Sequence, residues 1–313
     1  TTFKNWLFVA FLIFSAACSS PEASEEGLKD ALAGKFFIGT AMNEGQILGS
    51  DTASLGLIYK HFNSVVAENC MKSMYLQPKE GEFDFELADK FIAFAQQNDL
   101  YTVGHCLVWH SQAPRWFFTD EEGNDVSREV MIERMKSHIS TVVGRYKGKV
   151  DCWDVVNEAF EDDGSWRKTK FYEIIGKEYM ELAFKFANEA DPNADLLYND
   201  YSMFHEGRRE AVLDLVKNLK ALGIRIDGIG MQAHAGLENP PIDEFEKSLI
   251  AFSETGLDVH ITELDITAIP FPDQGVGAEV SASYEYKQKM DPYANGLTDS
   301  ARVALHDRYL DFP

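Results

Sequence analysis

The chain has 313 residues, enough for one large domain, and 45% of them are hydrophobic, which is sufficient for a sizeable core. Its 51 acidic residues outnumber 29 basic ones and give a formal net charge of −22 at pH 7. Because this charge repels phosphate backbones and anionic lipid heads, we expect no nucleic-acid partner and no electrostatic attachment to membranes.

The amino-terminal segment has the pattern of an export signal. Lys4 precedes an apolar run at 7–14, and the small residues 15–17 then lead to Cys18. The run is well short of the ~20 residues that a membrane-spanning helix needs. A Cys directly after small residues resembles a bacterial lipobox, in which Cys18 would be lipidated. An ordinary cleaved signal is the alternative, because Ser15 is not the aliphatic residue usual at that position.

These features divide the chain into two parts. Residues 1–24 are predicted to be a signal peptide or lipoprotein leader with the start of a polar tether, and residues 25–313 to form the folded domain. We expect an exported protein, either a lipoprotein of the cell envelope or surface or a secreted protein. The other cysteines, Cys70, Cys106 and Cys152, lie in apolar runs without C-x-x-C spacing, which predicts buried free thiols.

From residue 36 onward, short apolar runs alternate with longer helical patterns. The strands are predicted at 36–42, 64–69, 101–109, 151–159, 195–202, 228–235 and 258–266, and the clearest helices at 85–98, 127–146, 171–190 and 206–222. This alternation predicts the α/β class, with a parallel sheet covered by helices. A doubly wound sheet and a (β/α)8 barrel both satisfy the pattern.

The positions of the polar residues favour the barrel. The first strand is followed by Thr40-Ala41-Met42-Asn43 rather than by the glycine-rich turn of a dinucleotide-binding fold. Polar or aromatic residues also stand at the carboxyl ends of six strands: Glu68, Asn69, His105, Trp109, His110, Asn157, Glu158, Asn199, Asp200, Tyr201, Gln232, His234, Glu263 and Asp265. Since a barrel gathers these ends into one ring, the sequence predicts a (β/α)8 TIM barrel with one pocket.

Two of these residues are glutamates that suit glycosidic-bond cleavage. Such cleavage needs one acid to protonate the leaving oxygen and a second carboxylate for the positively charged carbon, and Glu158 and Glu263 supply the pair. Carboxyl groups ~5–5.5 Å apart retain the configuration, whereas a gap of ~6.5–9.5 Å admits water and inverts it. The residues alone leave that choice open.

Six segments carry a resemblance to a known family. They are ENCMKSMYLQPKEGEFDFELAD (68–89), GHCLVWHSQAPRW (104–116), DVVNEAF (154–160), YNDYS (198–202), GIGMQAHAG (228–236) and HITELDI (260–266). With these motifs, the chain resembles a glycoside hydrolase family 10 endo-β-1,4-xylanase from about residue 34 to its last residue.

The resemblance implies a retaining enzyme that hydrolyses xylan and xylooligosaccharides, acts as a monomer and needs no cofactor or metal. Glu158 would be the general acid and base, and Glu263 the nucleophile. It further implies that Asn157 bonds the sugar 2-hydroxyl. The implied sugar-binding set is Glu68, Asn69, Lys72, His105, Trp109, Asn157, Tyr201, Gln232 and His234, and the implied supporting residues are His110, Asp200 and Asp265.

The carboxyl-terminal part departs from the family pattern. After the seventh predicted strand we expect a long loop at 270–296 and a helix at 299–309, after which the sequence ends. The barrel is therefore expected to be truncated before its eighth strand. Because the first and seventh strands would then keep unpaired edges, this piece is expected to be poorly stable and weakly active.

Three other functions compete with xylan hydrolysis. The first is a retaining β-glycanase with the same two glutamates that acts on cellulose or mixed-linkage glucan. The second is a surface lipoprotein that binds glycan without cleaving it, although a pure binder has no need of both glutamates. The third, a metal-dependent barrel hydrolase, lacks the usual His-x-His pair on its first strand.

Overall fold

The computed structural model describes residues 26–269, 291–293 and 295–312. Nine strands lie in these ranges: β1 (Gly39–Met42), β2 (Ser64–Ala67), β3 (Tyr101–Val108), β4 (Cys152–Asn157), β5 (Asp195–Asp200), β6 (Gly228–Met231), β7 (His234–Gly236), β8 (Asp258–Ile261) and β9 (Asp265–Thr267). Strands β1 to β6 and β8 form one parallel sheet in chain order, while β7 and β9 form a small parallel sheet of their own.

The helices in the described ranges connect these strands. They are α1 (Leu28–Ala31), α2 (Glu44–Ile47), α3 (Thr52–His61), α4 (Ser73–Leu76), α5 (Glu86–Gln97), α6 (Arg128–Arg145), α7 (Lys170–Ile175), α8 (Glu178–Ala190), α9 (Glu206–Ala221), α10 (Ile242–Ser253) and α11 (Asp299–Asp311). In these ranges, no helix combines the length and the apolar composition needed to cross a lipid bilayer. The longer helices contact the strands, as in an α/β barrel.

Local sequence explains where the helices begin and which side they bury. The Ser127 hydroxyl accepts a hydrogen bond from the Val130 amide and caps α6, as Thr298 caps α11 through the Ala301 amide. Along α6 the buried residues Met131, Met135, Ile139, Val142 and Val143 recur at helical spacing. This apolar stripe packs toward the sheet and α8.

The centre of the sheet is tightly packed around β4. All six residues of this strand are buried, including Trp153. Gly104 on the neighbouring strand faces the Trp153 ring so closely that a Cβ atom there would overlap it. The pair therefore requires glycine at position 104 and fixes the distance of β3 from β4, the strand that leads to Glu158.

The outer strands of the sheet are far more exposed. Within the described ranges β1 and β8 each pair on one side only, and Asp258 and Ile261 of β8 are exposed. Large apolar side chains near the same two edges are exposed as well: Phe36, Phe37, Ile261 and Leu264. Seven parallel strands in chain order confirm the predicted α/β barrel with its eighth strand missing from the described residues.

Several predicted boundaries differ from the structure. The helix expected at 171–190 is two helices, because Gly176 at φ 87° turns the chain between α7 and α8. The strands expected at 228–235 and 258–266 each break, and their second parts become β7 and β9. Cys70, Cys106 and Cys152 are buried and free, as predicted.

Helix α11 is docked on the small sheet. The Arg308 guanidinium donates to the Gly236 carbonyl through Nε at 3.1 Å and also to the Pro240 carbonyl. The Phe312 ring packs at a tilt against Phe245 of α10, with 4.7 Å between ring centroids. The predicted leader at 1–24 and most of the predicted loop at 270–296 lie outside the described residues.

Candidate active site

The chain bends sharply where the strands end. Four non-glycine residues just beyond strands β3 to β6 have left-handed backbones: Gln112 (φ 46°), Glu158 (φ 59°), Ser202 (φ 46°) and Ala233 (φ 66°). Such a conformation costs a residue with a side chain about 1–3 kcal/mol and is typical of functional sites. The bends redirect the chain at the carboxyl-terminal rim of the sheet.

Glu158 follows β4 directly and is held by two amides. Its Oε1 accepts from Gln232 Nε2 at 3.1 Å and from Asn157 Nδ2 at 3.4 Å. Its Oε2 lies 4.0 Å from Nε2 of His110, whose pKa burial lowers. The side chain of Glu158 remains 12% exposed, so part of it is accessible from solvent.

Glu263 lies at the break between β8 and β9 and contacts a histidine. His234 Nε2 is 3.4 Å from Glu263 Oε2, and His234 Nδ1 is 2.9 Å from Asp265 Oδ1. Burial alone would raise the pKa of Glu263, but the His234 hydrogen bond and the His105 charge outweigh it and lower that pKa to about 2. Glu263 is therefore an anion at neutral pH.

The same contacts act on the histidine in the opposite direction. Burial favours neutral His234, yet the hydrogen bonds to Asp265 and Glu263 raise its pKa to about 10. The pairing of strands β7 and β9 sets His234 opposite Asp265, and the break before Asp265 brings Glu263 to the same imidazole. The geometry thus holds a charged imidazolium between two carboxylates.

A chain of side-chain amides joins the two glutamates. Asn157 Oδ1 accepts from Gln232 Nε2 at 3.2 Å and from Asn199 Nδ2 at 3.1 Å. Gln232 also donates to Glu158, and Asn199 donates to Glu263 Oε1 at 3.1 Å. Both carboxyl groups therefore belong to one hydrogen-bonded network that spans the ends of β4, β5 and β6.

A second polar group lies beside this network. Lys72 Nζ donates to Asn69 Oδ1 at 3.0 Å and to Gln112 Oε1 at 2.8 Å, and it stands 5.1 Å from the centre of the Trp109 ring. Burial lowers the pKa of Lys72, although nearby anionic groups, among them Glu263 and Glu68, oppose that effect. The lysine and the indole offer a cation, amides and a flat apolar face next to the carboxylates.

His105 connects the two groups. Its Nδ1 lies 2.8 Å from Asp154 Oδ2, and its ring lies 6.1 Å from the ring of Trp109. Burial opposes protonation of His105, but Asp154 and Glu263 together raise its pKa. Asp154 therefore fixes the orientation of the imidazole through its Nδ1 atom.

The predicted site residues fall into two groups. Those brought into the carboxylate network or beside it are Asn69, Lys72, His105, Trp109, His110, Asn157, Glu158, Gln232, His234, Glu263 and Asp265. Tyr201 lies at the edge, where its hydroxyl bonds Arg167, and Glu68 acts on Lys72 through its charge. Asp200 is fully buried and contacts Tyr198 and Arg208 rather than the network, and Cys18 lies outside the described residues.

Sequence reasoning missed several members of the site. Asn199 bonds Glu263, Thr262 Oγ1 donates to Asn199 Oδ1 at 2.7 Å, and Gln112, Asp154 and Arg167 support residues that were predicted. Asn199 was among the predicted strand-end residues but was given no role, and Thr262 stands directly before Glu263, so the position of each was a signal that could have found it. Asp154 gives no such signal, because it is an acid inside an apolar strand.

Comparison with known proteins identifies the family. The sequence model of Glycosyl hydrolase family 10 matches residues 27–302. The chain belongs to glycoside hydrolase family 10. Endo-1,4-beta-xylanase A of Xylanibacter ruminicola is 50% identical over 285 residues, which cover 91% of this chain and 77% of that protein. Endo-1,4-beta-xylanase A of Thermotoga neapolitana is 48% identical over 93% of this chain but only 28% of its own length.

Solved structures of the same family have the same fold. A GH10 endoxylanase retrieved from sugarcane soil metagenome superimposes with a TM-score of 0.84 at 42% identity, covering 91% of this chain and 82% of the other. A xylanase from Paenibacillus barcinonensis complexed with a conduramine derivative gives 0.80 at 37% identity, covering 92% and 82%. This family 10 chain therefore has the α/β barrel fold that the sequence predicted, with seven strands of the barrel in the described residues.

Proposed function

We propose that this chain is an endo-1,4-β-xylanase that cleaves β-1,4-xylosidic bonds with retention of configuration. The observation that carries the proposal is the amide network of Asn157, Asn199 and Gln232, which holds Glu158 and Glu263 at one cleft. Two carboxyl groups facing one sugar linkage are the minimum that glycoside hydrolysis requires.

The two glutamates take different parts in the reaction. In the first step the Glu263 carboxylate attacks the anomeric carbon while the Glu158 carboxyl group protonates the departing oxygen. In the second step Glu158 removes a proton from water, whose oxygen attacks the same carbon and frees Glu263. A low pKa suits Glu263, because a nucleophile must be ionised.

The remaining cleft residues bind the sugar. Asn157 would bond the 2-hydroxyl, where an interaction that strengthens in the transition state lowers the barrier most. Lys72, Asn69, His105 and Trp109 would hold the neighbouring sugar, the indole against the ring and the others against its hydroxyls. Glu68, Tyr201 and Gln232 would border the bound chain, with His110, Asp200 and Asp265 in support.

Substitution of each glutamate tests the assignment. Glu263→Ala is expected to abolish turnover of every substrate, since no nucleophile remains. Glu158→Ala is expected to lose about 10²–10⁴-fold on xylan yet to keep most of its first-step rate on aryl xylosides with good leaving groups, which need no proton. Steady-state kinetics on both substrates measure this difference; equal losses on both substrates in Glu158→Ala would contradict the acid role.

The substrate class is tested on the unmodified protein. Xylose lacks the hydroxymethyl group of glucose, so a cleft that packs closely on the sugar ring favours xylan. Release of reducing ends is expected from xylan and not from carboxymethylcellulose. Faster hydrolysis of carboxymethylcellulose would assign a cellulase, and tight binding of xylooligosaccharides without hydrolysis would assign a binding protein.

We also propose that the protein is exported, anchored through lipidated Cys18 and monomeric, and that it binds no nucleic acid. The apolar run at 7–14 followed by small residues and Cys18 supports the anchor, and a net charge of −22 argues against nucleic acid. Metabolic labelling with a clickable fatty acid should mark the wild-type protein and not Cys18→Ala. Labelling of neither protein would leave an ordinary cleaved signal as the assignment.

A further inference from the structure

The backbone that follows Glu158 is buried and strained. Glu158 has a left-handed φ of 59°, while the next two residues, Ala159 and Phe160, are 1% and 2% exposed. A left-handed backbone is unfavourable for a glutamate, so neighbouring contacts must hold it there. The amide network described above acts on the side chain, and a separate set of contacts acts on the backbone.

Tyr198 of β5 supplies the first of these contacts. Its hydroxyl oxygen accepts a hydrogen bond from the Ala159 amide at 3.0 Å and donates its proton to the Asp200 carboxylate. The Tyr198 side chain is fully buried, and its ring meets the Phe160 ring edge-on at 5.7 Å between centroids. One hydroxyl group therefore ties the residue after Glu158 to a buried carboxylate.

Asp200 and Arg208 hold this hydroxyl group in place. Asp200 Oδ1 accepts from the Tyr201 amide at 2.9 Å and lies 3.5 Å from Arg208 Nη1. Arg208 is 1% exposed and donates through Nη2 to the Phe160 carbonyl at 2.9 Å. The Ala159 amide is thus held by Asp200 through the Tyr198 hydroxyl, and the Phe160 carbonyl is held by Arg208 directly.

The loop beyond Phe160 is fixed against helix α9 as well. Arg208 Nη2 also lies 2.9 Å from Asp162 Oδ1. Gly164 and Gly207 pack backbone to backbone, so that a Cβ atom on Gly164 would come within 2.5 Å of the Gly207 carbonyl oxygen. The segment from Glu158 to Gly164 is consequently anchored at both ends to β5 and α9.

We propose that Tyr198 is a positioning residue for proton transfer by Glu158, acting through the Ala159 amide with Asp200 and Arg208 as its supports. The inference rests on the proposed function, in which Glu158 protonates the leaving oxygen. Proton transfer requires the carboxyl group within ~2.6–3.2 Å of that oxygen. Without the Tyr198 hydroxyl the strained backbone at Glu158 relaxes, and the Glu158 carboxyl group moves away from the leaving oxygen.

The leaving-group dependence of Tyr198→Phe tests this role in the full chain. We expect kcat/KM for phenyl β-xylobioside to fall about tenfold or more, because its poor leaving group needs the proton. We expect kcat/KM for 2,4-dinitrophenyl β-xylobioside to fall less than about threefold, because that leaving group departs unprotonated. The parameter kcat/KM reports the first chemical step, so the role of Glu158 as base in the second step does not enter.

Tyr146→Phe is the matched control. Tyr146 is 1% exposed and its hydroxyl donates to Asp89 at 3.1 Å, outside the cleft, so its removal should leave the ratio of the two kcat/KM values unchanged. If Tyr198→Phe is insoluble, Arg208→Lys is the second variant. It keeps a positive charge beside Asp200 but weakens the hydrogen bond to the Phe160 carbonyl. It should change the ratio of the two kcat/KM values in the same direction as Tyr198→Phe.

The outcomes separate the two hypotheses. Hydrolysis of both xylobiosides by the wild-type chain supports the proposed function independently of Tyr198. Equal losses on both substrates in Tyr198→Phe would mean that the hydroxyl only stabilises the fold, and an unchanged rate on both would mean that it does not position Glu158. Either result overturns the inference and leaves the proposed function standing.

Discussion

At the scale of single residues, the site sets the two glutamates in different environments. Glu263 contacts a charged imidazole, whereas Glu158 contacts neutral amides and His110, whose pKa is lowered. A nucleophile has to remain ionised and a general acid has to carry a proton, so unlike neighbours suit the two tasks. The difference arises because β6 delivers Gln232 to one glutamate and β7 delivers His234 to the other.

Replacement of His234 should move the acid limb of the pH profile. In His234→Gln the pKa of Glu263 loses its main lowering contact and rises, by about one unit or more. Because activity requires ionised Glu263, the acid limb of kcat/KM is expected to shift to higher pH by the same amount, while the rate at the optimum also falls. A pH series of kcat/KM on xylobiosides measures the shift.

The control for this series is His61→Gln. His61 lies at the end of α3, where its ring accepts from the Leu28 amide, and its substitution should leave the acid limb in place. An unmoved limb in His234→Gln would show that Glu263 does not depend on the imidazole for its ionisation.

Residues of the site differed in how far sequence could predict them. Glu158 and Glu263 lie at the carboxyl ends of predicted strands, and with the polar ends of the other strands they indicated the pocket. Asp154 and Tyr198 lie inside β4 and β5. At an interior strand position the sequence does not distinguish a residue that supports the site from one that only fills the core. Their partners, His105 and the Ala159 amide, come from other parts of the chain, so the contacts required the folded structure.

At the scale of elements, helix α6 carries a buried histidine against the segment after α4. His138 Nδ1 lies 2.9 Å from Gln77 Oε1, and Nε2 has no hydrogen-bond partner in the described part of the chain. The rings of Phe83 and Phe117 lie against it. Burial lowers the pKa of His138 to about 4, because a second N–H in this apolar contact would have no acceptor.

This contact should make the fold sensitive to acid. Between pH 6.5 and pH 4 the unfolded chain binds a proton at His138 that the folded chain excludes, so the free energy of unfolding decreases as pH falls through this range. The contribution between pH 6.5 and 4.5 is roughly 2 kcal/mol. In His138→Gln this contribution to the decrease in the free energy of unfolding should disappear, although the variant can be less stable than the wild type at pH 7.

Urea unfolding of both proteins at pH 6.5 and 4.5 measures the effect. His306→Gln is the control, because His306 is exposed on α11 and its substitution should leave the pH dependence unchanged. Parallel losses in wild type and His138→Gln would assign the acid sensitivity to the many paired carboxylates instead.

The sequence pattern did not predict the breaks that divide one helix and two strands. The apolar pattern continues through Gly176 and through Ala233, yet the chain turns at both. Periodicity reports which side of an element is buried, and both sides of each break bury apolar residues in the same core. At Ala233 the turn serves the site, because it points Gln232 and His234 at different glutamates.

At the scale of the whole molecule, the order of the strands was readable from the sequence. Alternating strands and helices with right-handed crossovers place consecutive parallel strands side by side, as the register from β1 to β6 confirms. Depth of burial was less readable. Strand β8 carries Val259 and Ile261 and was predicted as a buried strand like β4, but it is more exposed because it pairs on one side only within the described residues.

The amide of Asn157 has one further consequence. Its oxygen already receives two N–H groups, from Gln232 and Asn199, so both lone pairs are occupied and the group cannot rotate by half a turn without setting donor against donor. Only its nitrogen can face an incoming pyranose. In the proposed binding mode this position of the sugar must therefore carry a hydrogen-bond acceptor, and a sugar with hydrogen there in place of the hydroxyl group would leave the Asn157 N–H unpaired.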